Sequence, residues 1–71
     1  MLAELIRTYL DENGIKYIYA AERIDMSISA FSAMLNGNRK LTAEEFLNLC
    51  DALGIAVTYF AERFNDQPAT R

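Results

Sequence analysis

Histidine and tryptophan are absent from this 71-residue chain, cysteine and proline occur once each, and glycine only three times. Without histidine, and with a lone thiol at Cys50, the usual zinc constellations cannot assemble and no internal disulfide can form. Neither a metal nor a cofactor is expected. No apolar run approaches the roughly 20 residues that span a bilayer, and the N-terminus carries no basic stretch followed by an apolar segment. The expectation is a cytoplasmic protein with no membrane partner. No nucleophile is paired with a base, and there is no glycine-rich phosphate loop, internal repeat or low-complexity segment. The chain therefore reads as a non-enzyme with no evident small-molecule ligand.

What is present fits one domain. A core of this size is only marginally stable alone, so a partner subunit would help. The domain is expected over residues 1–64, followed by a short flexible tail over 65–71 that holds the only proline, Pro68. Net charge is −3, which by itself disfavours a polyanionic partner, yet the charges are segregated. Arg7 against Glu4, Asp11 and Glu12 leaves residues 1–15 at −2. Lys16, Arg23, Arg39 and Lys40 against Glu22 and Asp25 bring residues 16–41 to +2. Arg63 and Arg71 against Glu44, Glu45, Asp51, Glu62 and Asp66 leave the rest at −3. A basic strip on an acidic body can hold DNA, weakly without specific contacts and with strong salt dependence.

Apolar residues follow helical spacing through most of the chain. Leu2, Leu5, Ile6, Tyr9 and Leu10 predict a first helix that stops at Asn13-Gly14, two residues that tolerate the left-handed conformation. A second helix is expected from Lys16 to Ile24 with no capping side chain at its start. A third runs from Ser27, whose hydroxyl can accept from unpartnered amides, to Asn36, and stops at Gly37. Thr42-Ala43-Glu44-Glu45 is a capping box that opens a fourth helix, with Phe46, Leu49, Cys50 and Leu53 turned inward and an end at Gly54. Cys50 reads as a small buried hydrophobe. Ile55 and Val57 lead into a last short helix with Tyr59, Phe60 and Phe64.

Within this series the second and third helices stand out. Ala21, Ile24, Phe31 and Met34 fall where two helices can pack on each other and present the second to a groove. Together with Ser27, Asn36-Gly37, the basic Asn38-Arg39-Lys40 loop and the Ala52-Leu53-Gly54-Ile55 ending of the fourth helix, this order resembles the Cro/C1-type (XRE) helix-turn-helix family of phage and bacterial transcriptional regulators. The resemblance covers nearly the whole chain. It implies an all-α, five-helix lambda-repressor-like DNA-binding domain. The second helix would rest on the DNA backbone, the third would enter the major groove, and a dimer would read two half-sites. Two departures stand out: Asp25 occupies the turn position where the family usually has glycine, and Lys16-Tyr17 replaces the usual threonine or serine followed by glutamine.

Stepping about 100° per residue from Phe31 turns Met34 and Leu35 inward and Ser29, Ser32, Ala33 and Asn36 outward, with Ile28 on the border. Base contacts are therefore expected from the Ser29 and Ser32 hydroxyls and from Ile28 and Ala33 against thymine methyls. Asn36 alone has a side chain suited to bidentate base pairing, and a helix-ending role serves it equally well. Specificity should be modest or partly drawn from DNA shape. Phosphate contacts are expected from Ser27 with the free amides of its helix, from Asn38, Arg39 and Lys40, and from Lys16, Tyr17 and Arg23 beside the second helix. The resemblance places the basic loop and Tyr17 against the backbone. For each charge taken singly, the alternative is a solvated surface residue.

A homodimer is expected through Val57, Tyr59, Phe60 and Phe64, because a two-turn helix cannot bury all four against one small domain. The alternative is that Phe60 and Phe64 close the core. The chain thus reads as a sequence-preferring DNA-binding transcriptional regulator, most simply a repressor. The alternative is a helix-turn-helix fold kept as a protein interaction module or adaptor without DNA binding, which net charge −3 and the apolar third helix favour.

Overall fold

Residues 2–65 are described in a computed structural model, and within them five α-helices follow one another with no strand. They are α1 (Leu2–Glu12), α2 (Tyr17–Arg23), α3 (Ile28–Leu35), α4 (Ala43–Leu53) and α5 (Val57–Asn65). Of the expected tail, residues 66–71 lie outside the described residues; Asn65 is the last residue of α5. No helix of the described residues is long and apolar enough to cross a membrane.

The helix starts follow the side chains available. Ser27 Oγ accepts from the Ala30 amide at 3.1 Å and opens α3. At α4 both halves of the capping box form: Glu45 N donates to Thr42 Oγ1 and Thr42 N donates to Glu45 Oε1, each at 3.1 Å. Lys16 precedes α2 with no side-chain cap, so this seven-residue helix depends on burial for its stability. Ala20 and Ala21 are both fully buried, and their small size lets α2 lie close against α3 and α4.

Helix α2 ends in a Schellman arrangement, with Met26 N donating to Ala21 O at 2.9 Å and Asp25 N to Glu22 O at 3.2 Å. That closure requires a left-handed residue, and Asp25 takes φ +59° where glycine would be unstrained. Asp25 thus occupies the conformation that glycine usually supplies in this turn. Gly37 closes α3 the same way at φ +82°, with Asn38 N on Ala33 O at 2.8 Å. After α2 the next residue, Met26, turns back onto the core, whereas Asn38 is exposed. The chain after α3 therefore leaves the core, and Arg39 and Lys40 reach the surface with it.

The core gathers Ile6 and Leu10 of α1, Ala20 and Ala21 of α2, Phe31, Met34 and Leu35 of α3, Leu49 and Cys50 of α4, Ile55, and Phe60 of α5. Burial pushes the Cys50 thiol up, as expected of a small hydrophobe rather than a thiolate. Phe60 corrects the expectation for the last helix. It is 1% exposed, and the rings of Tyr9, Phe46 and Tyr59 meet it edge-on at 5.8, 5.7 and 5.2 Å. A side chain enclosed in this way offers nothing to a second subunit. Tyr59 is half-buried, with Arg63 stacked 3.5 Å over its ring. Val57 and Phe64 remain 41% and 49% exposed.

Candidate nucleic-acid interface

The packing of α2 on α3 decides which face of α3 is free. Phe31, Met34 and Leu35 turn into the core, and the ring of Tyr17 lies edge-on to Phe31 at 6.2 Å. The opposite face carries Ile28, Ser29, Ser32, Ala33 and Asn36, which together line one shallow depression. The four expected base-contact residues are therefore brought together. Ile28 is 42% exposed and Ser29 is exposed, while Ser32 and Ala33 are half-buried in the floor. Long side chains would stand out from such a helix. These short ones let its backbone approach a groove closely, with hydroxyls as donors or acceptors and methyls for thymine.

Asn36 caps the end of α3, and its side-chain oxygen accepts from Arg7 Nη1 at 3.3 Å. That contact brings Arg7 of α1 to the rim of the depression across 29 positions of sequence, so nothing local in the sequence points to it. Its guanidinium adds a cation where the outward face of α3 has none.

The expected phosphate contacts fare unevenly. Lys16, Arg23 and Lys40 are exposed, and none forms a salt bridge among the described residues. Ser27 already accepts from Ala30 N, and its hydroxyl proton remains to donate. Tyr17 is half-buried, and its hydroxyl donates to Asp11 Oδ1 at 3.1 Å. Desolvation, and then this bond, raise the phenol above its ordinary value, so it stays protonated, but its one proton is committed and a carboxylate stands beside it. Arg39 is also committed. Its Nη1 and Nη2 hold Glu45 Oε1 and Oε2 at 3.1 and 2.8 Å, and Nη1 also donates to Lys40 O at 3.3 Å. The Arg39 guanidinium, ahead of the Thr42 amide, holds the Glu45 carboxyl down to about 2. Arg39 and Lys40 line a separate cleft with Leu2, Ala3, Met34 and Leu41, and that cleft shares no residue with the depression on α3.

No group of three or more histidine, cysteine or acidic side chains suited to a metal occurs among the described residues. Two helices joined through residues 24–27, the first braced by small residues and the second buried on one face and open on the other, form a helix-turn-helix unit. The helix-turn-helix family model matches residues 6–60, which span part of every helix, and the chain belongs to the Cro/C1-type (XRE) branch of helix-turn-helix proteins. No curated protein and no solved structure matches the chain significantly.

Proposed function

We propose that this protein is a sequence-preferring DNA-binding transcriptional regulator, a repressor acting in the cytoplasm, which places α3 in the major groove. The observation that carries this reading is the single open face of α3, where Ile28, Ser29, Ser32 and Ala33 stand together. Base reading falls to these four, with Asn36 set aside as a cap held by Arg7. Backbone contacts fall to Lys16, Arg23, Ser27, Asn38 and Lys40, and Arg7 extends that set at the end of α3. Sequence preference is modest, since no side chain on the open face makes a bidentate base pair.

The regulator works as a homodimer. Val57 and Phe64 lie seven residues apart, on one side of α5, and both are exposed, whereas Phe60 belongs to the interior. Two copies joined there would read two half-sites.

A second reading has its own support. Ile18 and Tyr19 on α2 are each 52% exposed and Ile28 is 42% exposed, a surface more apolar than DNA requires. An adaptor would use these to hold another protein. Selection of bound sequences from a random DNA pool, followed by mobility shifts at low salt, separates the two. Recovery of a symmetric half-site motif supports the dimeric regulator. Absence of any retarded species below the micromolar range, where nonspecific binding begins, supports the adaptor.

A further inference from the structure

Of the four cations in the stretch 16–41, Arg39 alone is held in an ion pair among the described residues. The partner is not a mobile surface carboxylate. Glu45 is fixed by the capping box, where its Oε1 accepts from Thr42 N at 3.1 Å while its own amide donates to Thr42 Oγ1. The carboxylate would stay in place without Arg39, so it is the arginine that is captured. Both ends of the guanidinium fork are used on Glu45, and Nη1 is used again on Lys40 O. Three of the five N–H donors of Arg39 are therefore spent.

For a DNA phosphate this arrangement is poor. The pair is neutral as a unit, so its approach to the backbone releases no counterion, and the fixed carboxylate repels the phosphate that would compete for the arginine. We propose that Glu45 withholds Arg39 from the DNA backbone, so that Lys40 is the only cation the loop after α3 contributes to phosphate binding and indiscriminate affinity for DNA is kept low. The inference rests on the DNA-binding reading. Its benefit would be specificity, because nonspecific binding comes almost wholly from phosphate contacts and each cation removed lowers it. Glu45 acts here through another residue and is a positioning residue.

The test measures binding of the full chain to a labelled random-sequence 20-base-pair duplex across roughly 50–200 mM salt. Variants are Glu45→Gln, Arg39→Ala and the double substitution. Glutamine at this position can still accept from the Thr42 amide, so α4 keeps its cap. Glu45→Gln is expected to tighten binding and to steepen the log-log salt dependence by about 0.9 per subunit, which is about 3.5-fold more affinity lost over a fourfold rise in salt. Arg39→Ala in the Glu45→Gln background, where no carboxylate is left bare, should cancel the gain. Glu45→Ala, which gives up the acceptor for the Thr42 amide but keeps the Thr42 hydroxyl on the α4 amide, should reproduce the effect, and agreement between the variant that keeps the full cap and the one that does not ties the effect to the lost carboxylate.

A slope unmoved or flattened by Glu45→Gln, or a gain that Arg39→Ala fails to cancel in the Glu45→Gln background, overturns the inference while leaving DNA binding intact. Failure of the natural chain and of both Glu45 variants to bind the duplex at the lowest salt overturns the DNA-binding reading, and the inference with it.

Discussion

Replacing Phe60 by alanine puts the division between core and interface to a direct test. The side chain is 1% exposed and stands among three rings, those of Tyr9, Phe46 and Tyr59, with centroids 5.2 to 5.8 Å away. Buried phenylalanine-to-alanine changes cost about 3–5 kcal/mol, the lost transfer free energy plus that of the cavity left behind. At about 0.05–0.15 kcal/mol per residue, a 71-residue chain has about 4–11 kcal/mol in total. The substitution should therefore remove between about a quarter of the stability and all of it. With about 4–8 °C per kcal/mol at this size, the melting temperature falls by at least about 12 °C. Phe64→Ala, at a position 49% exposed, should lose far less within one protomer. Urea unfolding followed by circular dichroism at two protein concentrations tells the roles apart. A loss from Phe60→Ala that is the same at both concentrations belongs to the protomer, while a loss from Phe64→Ala that shrinks on dilution belongs to an interface. The reasoning fails if Phe60→Ala shifts the midpoint no more than Phe64→Ala does.

Three further outcomes are expected. Ala33→Glu, which sets a carboxylate in the floor of the α3 depression, should abolish preferred-site DNA binding in a mobility shift without changing the melting temperature; tight binding retained by this variant would remove α3 from the groove. Asp25→Val, which forces a β-branched residue to φ +59°, should cost about 1–2 kcal/mol in a denaturant melt, and a neutral result would mean that the turn relaxes out of the left-handed region. Arg39 and the Thr42 amide hold Glu45 at about 2 against an ordinary 4.5, so its contribution to stability is complete above the higher value and is lost as pH falls from 4.5 towards 2. Melting temperatures at pH 6 and pH 3 should accordingly differ less in Arg39→Ala than in the natural chain.

The sequence by itself determined the helices and most of their ends. Helix formation and termination depend on neighbours within a few residues, so Ser27, the Thr42–Glu45 box and Gly37 could be read directly, and they act in the structure as their types require. The inward spacing of Phe31 and Met34 likewise told which face of α3 would be covered, and so which residues would share the open one. The missing cap of α2 was legible too, although α2 is shorter than its apolar pattern, ending at Arg23 with Ile24 as its cap.

Tertiary structure alone decided the fate of individual side chains that have more than one use. An arginine in a basic loop is a phosphate ligand or half of an ion pair, and only the position of α4 put Glu45 within 2.8 Å of Arg39. A phenylalanine on a short amphipathic helix is core or interface, and the packing of α5 against α1 enclosed Phe60 while leaving Val57 and Phe64 outside. Tyr17 turned its hydroxyl to Asp11, and Arg7 found Asn36, through placements that no local pattern encodes. Periodicity specifies the direction a residue faces relative to its own helix axis, whereas its partner depends on the docking of distant elements, which is set by the summed packing of the whole core.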